Sequence, residues 1–307
     1  LARNIDARWK YTQMAMEALS RKATGFGVYG GWMHHRYGEG GIQPRILGGA
    51  VDPKPAQLRL AHEILQKYGG LIMRSTPERQ VALLYSYTDD VINGDGYLRT
   101  FAAYRALLRA GFPAAIVTEQ TIGNGGLDGV KVLLLADTTL IPDATRATLA
   151  LFIKNGGRVL AGKDADLEQL GVNGILKLPI PFKPIDKWDG TAEHVAGRAR
   201  AQANAKVLRQ FMQLLTKPFA LSNNPNVVAS TFFAGDCRYI VAFNDSVPPF
   251  PEAFGQWYEQ AWIYPARASI ALAGNGYDVY DVLTGGLVPI RTENGKQFID
   301  VDFINFP

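Results

Sequence analysis

The first segment of the chain carries apolar residues at helical spacing. They recur roughly every 3.6 positions, as on the buried face of an amphipathic helix. The pattern predicts a helix over residues 4–23, which ends at Gly25. The positions near this spacing are Ile5, Trp9, Thr12, Met16 and Leu19.

A short aromatic and glycine-rich run follows at residues 26–32 and predicts a buried strand whose backbone packs closely against its surroundings. The loop after it, which runs to Pro55, is much longer than the usual connection of about four to six residues. A second helix is predicted over 56–68, ended by Gly69 and Gly70. Helix, strand, long loop and helix in this order are typical of the last βα unit of a TIM barrel.

From residue 80 onward, short apolar strands alternate with amphipathic helices. Strands are predicted over 81–86, 114–117, 131–136 and 158–161. The third run, KVLLLA, has an uninterrupted apolar stretch, which is typical of a strand buried on both faces of a parallel sheet. This alternation predicts a doubly wound α/β domain.

Two helices are predicted between these strands. A stripe of four residues at positions i, i+4, i+7 and i+11 predicts the buried face of the first helix, which ends at Gly111. The second is expected to be capped by Asp143 and to close at Gly156 and Gly157. The stripe consists of Tyr97, Phe101, Tyr104 and Leu108.

The chain then changes character twice. Residues 171–222 begin with a proline-punctuated stretch and continue with a helical composition over 192–215, which predicts a connector that carries a helix. From residue 227 onward, β-type runs are separated by Gly, Asn, Asp and Pro, which predicts a small antiparallel β-sandwich. In the last run, QFIDVDF, apolar and acidic residues alternate, so one face is expected to be dry and the other wet.

Composition and charge narrow the classes of function. The 307 residues include 32 Lys and Arg against 28 Asp and Glu, and the basic residues are scattered rather than clustered. The basic footprint of a nucleic-acid-binding protein is therefore missing. No stretch approaches the roughly 18 apolar residues of a membrane span, so neither nucleic acid nor a membrane is a predicted partner. The single cysteine, Cys237, excludes an intrachain disulfide and a cysteine-based zinc site, and it leaves the compartment of the protein open.

Three passages resemble family 42 β-galactosidases and related barrel glycosidases. Residues 7–41, which end in GVYGGWMHHRYGEGG, look like the final barrel helix and strand and a Trp-bearing loop of that family. Residues 81–117 and 127–162 are similar to its trimerisation domain, and the ordered strands and helices make this passage the most specific. Residues 277–290, YDVYDVLTGGLVPI, are similar to a hairpin in its C-terminal sandwich.

The resemblance implies a fold class of α/β plus β. The end of a TIM barrel is expected at residues 1–75, and a doubly wound, flavodoxin- or glutaminase-like α/β domain of the trimerisation type at 79–185. A helical connector at 186–224 and a C-terminal antiparallel β-sandwich at 225–307 complete the prediction.

The resemblance also implies a hydrolase of O-glycosidic bonds that needs no cofactor. Such enzymes use two carboxylates, about 5–5.5 Å apart when they retain configuration and about 6.5–9.5 Å apart when they invert it. The family places them after barrel strands four and seven, whereas residues 26–32 resemble strand eight. Both carboxylates are therefore expected upstream of Leu1, and the chain alone is expected to be inactive.

Four residues of the long loop are candidate substrate-binding residues. Trp32 either stacks its indole face on a sugar ring or fills the top of the barrel. Glu39 falls near a glutamate with which the family binds a sugar hydroxyl, and is otherwise a solvated loop acid. His34 belongs to the same candidate set, and Arg36 either orients the substrate or pairs with Glu39.

Two features of this loop narrow its chemistry. His34 and His35 are neighbours, and neighbouring side chains on an extended chain point in opposite directions, so no metal site is predicted. The histidine that accompanies the glutamate in the family has no counterpart here, because Ile42, Gln43 and Pro44 occupy the region. Galactose specificity therefore stays open.

A rival enzyme class shares the layout of the α/β domain. Class I glutamine amidotransferases place a cysteine nucleophile on a turn after a central strand. Here Asp137, Thr138 and Thr139 follow the third strand, and Cys237 lies in the β-rich region. An amidotransferase-like activity is therefore the weakest of the hypotheses.

Two polar segments of the α/β domain receive structural interpretations. Asp89, Asp90 and Asp95 follow the first strand, at the carboxyl edge where open sheets bind ligands. Their spacing does not match a calcium loop, so they are interpreted as solvated loop acids. The GNGG segment at 123–126 lacks the spacing of a phosphate-binding loop and is predicted to be a turn.

Two functions remain in competition. The first is part of a glycoside hydrolase acting on a β-galactoside-like or other oligosaccharide. The alternative is a non-catalytic carbohydrate-binding or assembly protein that keeps the glycosidase architecture. The predicted partners are a carbohydrate and either further copies of the chain, with a trimer as one such assembly, or a companion chain that supplies the rest of the barrel.

Overall fold

A computed structural model describes residues 16–22, 54–183, 192–245 and 265–303. Within these residues the chain combines α-helices with one parallel and three antiparallel sheets, a mixed α/β fold as predicted. Residues 16–20 are helical, in agreement with the end of the first predicted helix. The predicted strand at 26–32 and the loop after it lie outside the described residues.

A five-stranded parallel sheet forms the centre of the α/β unit. Its spatial order is β3-β2-β4-β5-β6, the order of one common type of doubly wound sheet. The first four strands match the predicted runs to within one or two residues, whereas β6 was not predicted because it is two residues long and lies in a proline-punctuated stretch. The strands are β2 (Val81–Tyr85), β3 (Ala115–Thr118), β4 (Val132–Leu135), β5 (Arg158–Ala161) and β6 (Leu176–Lys177).

Seven helices surround the sheets between Lys54 and Leu215 in the described part of the chain. Three short ones, α2, α4 and α6, were not predicted; α2 follows β2, α4 follows β3 and α6 follows β5. The helices are α1 (Lys54–Arg74), α2 (Tyr87–Asn93), α3 (Gly96–Ala110), α4 (Glu119–Gly123), α5 (Asp143–Lys154), α6 (Leu167–Leu170) and α7 (Ala192–Leu215). None of these is long and apolar enough to cross a membrane.

Strand β4 contributes to two separate hydrophobic cores, one on each face of the sheet. Leu133 and Leu135 pack with Leu149 of α5 on one face. Leu134 packs on the other face with α3 and with Leu208 of α7. All four apolar side chains of the strand are buried, as its sequence predicted. The helix predicted within the connector, α7, therefore covers the second face of the parallel sheet together with α3.

The buried face of α3 differs from the predicted aromatic stripe. Its fully buried residues are the small Ala103, Ala106 and Ala110 together with Leu107, whereas Tyr97 is 60% exposed. The reason is that α3 contacts the sheet and α7 at once, and close approach on two sides requires small side chains. Tyr104 and Leu108 instead face the β-rich region.

Two predicted helix boundaries are wrong. Helix α1 continues through Gly69 and Gly70 to Arg74. An interior glycine costs only about 1 kcal/mol relative to alanine, and burial of Ile72 against Leu19 and Phe232 stabilises the last turn.

The second error concerns the start of α5. Asp143 does not cap this helix: the capping position is Pro142, and Asp143 lies in the first turn and pairs with Arg146 at 2.7 Å. Its negative charge still favours this end of the helix dipole.

The β-rich region contains antiparallel sheets that match most of the predicted runs. One has the order β1-β8-β9, a second β13-β14-β10-β7, and the hairpin β11-β12 forms a third. Their strands are β1 (Thr76–Pro77), β7 (Ala220–Ser222), β8 (Val227–Ala234), β9 (Cys237–Asn244), β10 (Arg267–Leu272), β11 (Val279–Tyr280), β12 (Leu287–Val288), β13 (Ile290–Glu293) and β14 (Lys296–Asp302).

Two details of this region bear on the predictions. In β14, Ile299 is buried while Asp300 and Asp302 are exposed, so the predicted dry and wet faces are confirmed. The division of the chain into four domains, including a β-sandwich, stays a prediction.

A buried arginine ties the α/β unit to the β-rich region. Arg109, near the end of α3, is 5% exposed. It donates to the side chain of Asn226 at 2.8 Å and pairs with Asp245 at 3.1 Å. Burial lowers the pKa of this guanidinium, and the charge of Asp245 opposes that shift. These contacts hold α3 against the open end of the β8-β9 hairpin, where β8 begins and β9 ends.

The two-faced burial of β4 makes a stability prediction. Leu133→Ala is expected to lower the free energy of unfolding by about 2–5 kcal/mol, because it leaves a cavity in a packed core. The matched control is Leu151→Ala, at a position on α5 that is 56% exposed, with an expected change within about 0.5 kcal/mol. Urea unfolding followed by circular dichroism measures both. Equal losses in the two variants would contradict the assigned core.

Candidate functional site

The candidate substrate-binding residues Trp32, His34, Arg36 and Glu39 all lie outside the described residues, so their role stays a prediction. Within the described part of the chain, polar side chains concentrate in two places. One is the carboxyl edge of the parallel sheet, where β2 and β4 end. The other is a cavity at the opposite edge.

Asp89 closes the crevice between β2 and β4. In doubly wound sheets ligands bind in the crevice at the carboxyl ends of the strands, where the strand order reverses. The carboxylate of Asp89 accepts hydrogen bonds there from the backbone N–H groups of Thr139 and Leu140, both at 3.1 Å. Arg99 pairs with its other oxygen at 2.6 Å, and Asn93 donates at 2.9 Å.

Glu119 and Asp90 complete the polar network at this edge. Glu119 accepts hydrogen bonds from the hydroxyl groups of Ser86 and Thr88 at 2.6 and 3.0 Å. Tyr85 donates its phenol proton to Asp90 at 2.6 Å. This hydrogen bond raises the pKa of Tyr85 to about 12 and is the largest cause that lowers the pKa of Asp90.

The position of a nucleophile in an amidotransferase is occupied by Asp137. It accepts hydrogen bonds from the backbone N–H groups of Asp164 and Phe182, and burial raises the pKa of its carboxyl group. Cys237 is exposed at the start of β9, far along the chain from this turn. The described residues therefore offer no cysteine nucleophile at this edge.

These contacts correct one interpretation made from the sequence. Asp89 is 1% exposed and is not a solvated loop acid, although Asp95 is exposed as expected. Among the described residues no group of three or more His, Cys, Asp or Glu side chains is arranged to hold a metal ion. The GNGG segment forms a turn in which Gly126 N–H donates to the carbonyl of Thr121, as predicted. The carboxyl edge is thus filled by the protein's own side chains.

The cavity lies between the amino edge of the parallel sheet, residues 20–22 and the β1-β8-β9 sheet. Its volume is about 420 Å³. Apolar walls are formed by Val81, Phe112 and Phe232 among others, and polar groups come from Arg21, Tyr104, Ser230, Thr216, Gln80 and Glu78. The size falls within the usual range of small-molecule sites, about 300–1,000 Å³.

Two polar groups of this cavity lack hydrogen-bond partners among the described residues. The hydroxyl of Ser230 is one. The terminal nitrogens of the Arg21 guanidinium are the other, although one of them forms an ion pair with Glu17 at 3.6 Å. The guanidinium carbon of Arg21 lies 4.8 Å from the centre of the Tyr104 ring. Burial is the largest cause that raises the pKa of Tyr104. Buried polar groups are nearly always hydrogen-bonded in folded proteins.

Sequence reasoning missed this cavity. Its lining residues come from segments that are far apart along the chain, and no motif joins them. The only sequence signals are a serine in the apolar run VVASTFF and an arginine at the end of the first predicted helix.

The sequence matches no family model and no curated protein. Among solved structures, the chain is similar to α-L-fucosidase isoenzyme 2 from Paenibacillus thiaminolyticus, with 14% identity and a TM-score of 0.50. That alignment covers 83% of this chain and 52% of the fucosidase. The chain therefore spans about half the length of this relative. At this identity the likeness concerns the fold alone.

Two further structures align less closely. A GH42 exo-carrageenase from Bacteroides ovatus has 15% identity and a TM-score of 0.45, over 80% of this chain and 32% of that one. A GH42 β-galactosidase from G. stearothermophilus has 11% identity and a TM-score of 0.49, over 81% and 44%. Because both TM-scores are below 0.5, the similarity of fold is taken from the fucosidase alone. Over the aligned residues this chain shares the fold of that fucosidase.

The shift of Asp90 makes a pH-dependent prediction. Asp90→Asn is expected to lower the free energy of unfolding at neutral pH, because Tyr85 and the backbone N–H of Tyr97 stabilise the ionised carboxylate. In the folded chain the pKa of Asp90 lies below the value of an aspartate in the unfolded chain, which is near 3.9. The stabilisation by the ionised Asp90 carboxylate is therefore present above the unfolded pKa. It is lost as the pH falls through the pKa that Asp90 has in the folded chain.

Urea unfolding of both proteins between about pH 3 and 7 checks this, since this range spans the unfolded carboxyl pKa. The difference in the free energy of unfolding between wild type and Asp90→Asn should become smaller as the pH falls toward 3. Asp236→Asn, in an exposed turn between β8 and β9, is the matched control and should show little difference at any pH. If the free energy of unfolding of Asp90→Asn differed more from that of wild type at acid pH than at neutral pH, the assigned interaction would be refuted.

Proposed function

We propose that this chain is part of a glycoside hydrolase that acts on O-glycosidic bonds of a β-galactoside-like or other oligosaccharide. The observation that carries the proposal is the fold likeness to the fucosidase, which extends over 83% of this chain rather than over a single sheet. The resemblance of residues 7–41 to the end of a glycosidase barrel points in the same direction.

The catalytic carboxylates are assigned to another segment or a companion chain. The closed carboxyl edge of the parallel sheet supports this, because Asp89 and Glu119 are already held by internal donors. In this proposal the described α/β unit is a flavodoxin-like assembly module, and the β-rich region is a small sandwich. The chain alone is then inactive.

Substrate contact is assigned to the loop after the predicted barrel strand. Trp32 stacks on a sugar ring, and Glu39 accepts a hydrogen bond from a sugar hydroxyl. His34 and Arg36 lie beside them in the sequence and complete the candidate set.

Assembly into a homo-oligomer is proposed through the α2 region. Four large apolar side chains are between 60% and 64% exposed there, and α2 carries three of them. An apolar group of this kind is typical of a surface that another protein covers. The four residues, which we call the α2 patch, are Tyr87, Val91, Ile92 and Tyr97.

A non-catalytic carbohydrate-binding or assembly protein is the second candidate. The same closed crevice favours it, since the described α/β unit offers no open polar site at its carboxyl edge. Activity measurements separate the two candidates.

The catalytic proposal predicts hydrolysis by the full-length protein that contains this chain, together with any companion chain. It should release aryl groups from at least one member of a panel that includes α-L-fucosides and β-D-galactosides. Glu39→Gln should lower kcat/KM by about tenfold or more, because a hydrogen bond to a charged group is lost. Glu168→Gln, at an exposed position on α6, should leave kcat/KM unchanged. No release from any glycoside would favour the non-catalytic candidate.

The assembly proposal predicts that the α2 patch is covered in solution. At micromolar concentration the wild-type chain should be oligomeric by light scattering, and the double variant Val91→Asp, Ile92→Asp should dissociate, because buried unpaired charges are strongly unfavourable. Val282→Asp, at a half-exposed position beside the β11-β12 hairpin, should not change the mass. A monomeric wild-type protein would rule the proposal out.

A further inference from the structure

Six asparagines in this chain are followed directly by glycine, and all six lie in the described residues. Asparagine is among the thermally labile residues of proteins. A glycine after it favours modification, because glycine has no side chain to obstruct its own backbone nitrogen. The fold places these identical dipeptides in different surroundings, and it therefore decides which of them can react. The six are Asn93, Asn124, Asn155, Asn173, Asn275 and Asn294.

The modification is an intramolecular ring closure that needs only water as a co-reactant. The backbone nitrogen of the glycine attacks the side-chain carbonyl carbon of the asparagine. A carbon–nitrogen bond forms, the bond from that carbon to the amide nitrogen breaks, and ammonia leaves with the proton of the glycine N–H group. Water then opens the succinimide ring at either of its carbonyl groups, which gives aspartate or isoaspartate. A glycine N–H that donates a hydrogen bond must first release it.

The dipeptide of Asn93 is engaged at both reacting groups. The side-chain nitrogen of Asn93 donates to the carboxylate of Asp89 at 2.9 Å and to the hydroxyl of Thr139 at 3.0 Å. The backbone N–H of Gly94 donates to the carbonyl of Asp90 at 2.9 Å. The polar network at the carboxyl edge therefore keeps the side chain and the attacking nitrogen in place.

Asn124 and Asn155 form a matched pair. Asn124 directly follows α4 with φ −107° and ψ 32°, and Asn155 directly follows α5 with φ −83° and ψ 11°. Both are exposed, and the glycine after each has a left-handed φ. They differ at the glycine nitrogen. Gly156 N–H donates to the carbonyl of Ile153 at 3.0 Å, whereas Gly125 N–H donates to no described residue.

The other three dipeptides share the free nitrogen of Gly125. In each of them, the glycine N–H donates to no group in the described part of the chain. All three asparagines are exposed and lie between regular elements rather than inside them. Together with Asn124 they form a set that we call the turn asparagines, Asn124, Asn173, Asn275 and Asn294.

From these contacts we infer that the turn asparagines deamidate spontaneously in the folded chain, whereas Asn93 and Asn155 are protected by the hydrogen bond of the glycine that follows them. Each conversion replaces a neutral amide with a carboxylate. Because the formal net charge is +4, conversion of all four would bring it to about zero, where proteins associate more readily. Isoaspartate also adds a backbone carbon, which lengthens the tight turn at Asn294 between the paired Glu293 and Lys296.

The test follows deamidation of the full chain in mildly alkaline buffer by mass spectrometry of proteolytic peptides. A second sample is kept unfolded in guanidinium chloride, where all six dipeptides should react at similar rates because each contains glycine. In the folded chain Asn124 should react at least about fivefold faster than Asn155, because the hydrogen bond of Gly156 must open first. Asn93 should react most slowly, since its side-chain bonds must open as well. Equal rates for Asn124 and Asn155 in the folded chain would overturn the inference.

Two variants locate the reaction. Asn124→Gln should abolish the mass gain of its peptide and lower the release of ammonia by the folded chain, because the longer side chain disfavours ring closure. Asn155→Gln is the matched control and should leave the release of ammonia nearly unchanged. An equal decrease in both variants would contradict the inference. Neither residue belongs to α2, so coverage of the α2 patch by a second copy does not affect this comparison.

The products test the ring mechanism in the wild-type chain itself. The Asn124 peptide should contain both aspartate and isoaspartate, since water can open the ring on two sides. Aspartate alone would indicate direct hydrolysis of the side-chain amide and would overturn the proposed route. None of these outcomes depends on glycosidase activity, because no residue assigned to sugar cleavage takes part.

Discussion

The central constraint on this fold is that β4 is apolar on both faces. A strand with Leu133 and Leu135 on one side and Leu134 on the other exposes a large apolar surface unless both sides are covered. The helix α5 is close in sequence and covers one face. The other face needs α3 and also α7, which the chain reaches only after leaving the parallel sheet. The position of the β-rich region follows from this return, since its strands begin soon after α7 ends.

The same arrangement explains where binding chemistry can exist. At the carboxyl edge, Asp89 joins the turn after β4 to α2 and α3, which stabilises the edge and engages this carboxylate internally. At the amino edge, α3 meets β8 through Tyr104, and the surfaces do not fill the space between them. Arg109 fixes the distance between these layers through Asn226 and Asp245. The cavity therefore lies at the amino edge, whereas doubly wound folds usually bind ligands at the carboxyl edge.

Local sequence patterns predicted most of the strands, but they did not predict which elements pack against each other. KVLLLA and the alternating QFIDVDF indicate their environment directly, because burial on two faces or on one is encoded in adjacent residues. Tyr97 was assigned wrongly because the buried face of α3 depends on contacts from α7, which is distant in the sequence. The cap of α5 was misplaced by one residue, since the helix begins at Asp143 itself. The cavity of Arg21 and Ser230 was beyond prediction for the same reason, since it exists only once two separate segments are packed together.

One small strand has a larger consequence for how this architecture is put together. Thr76 and Pro77 pair with Phe233 and Phe232, so the segment that precedes the α/β unit lies in one sheet with a segment that follows it. The whole α/β unit is thus an insertion between strands that are neighbours in space, and its two connections leave from nearly the same place. Closely spaced ends of this kind are typical of inserted units, and here the contacts of Arg109 with Asn226 and Asp245 bind the inserted unit to its host.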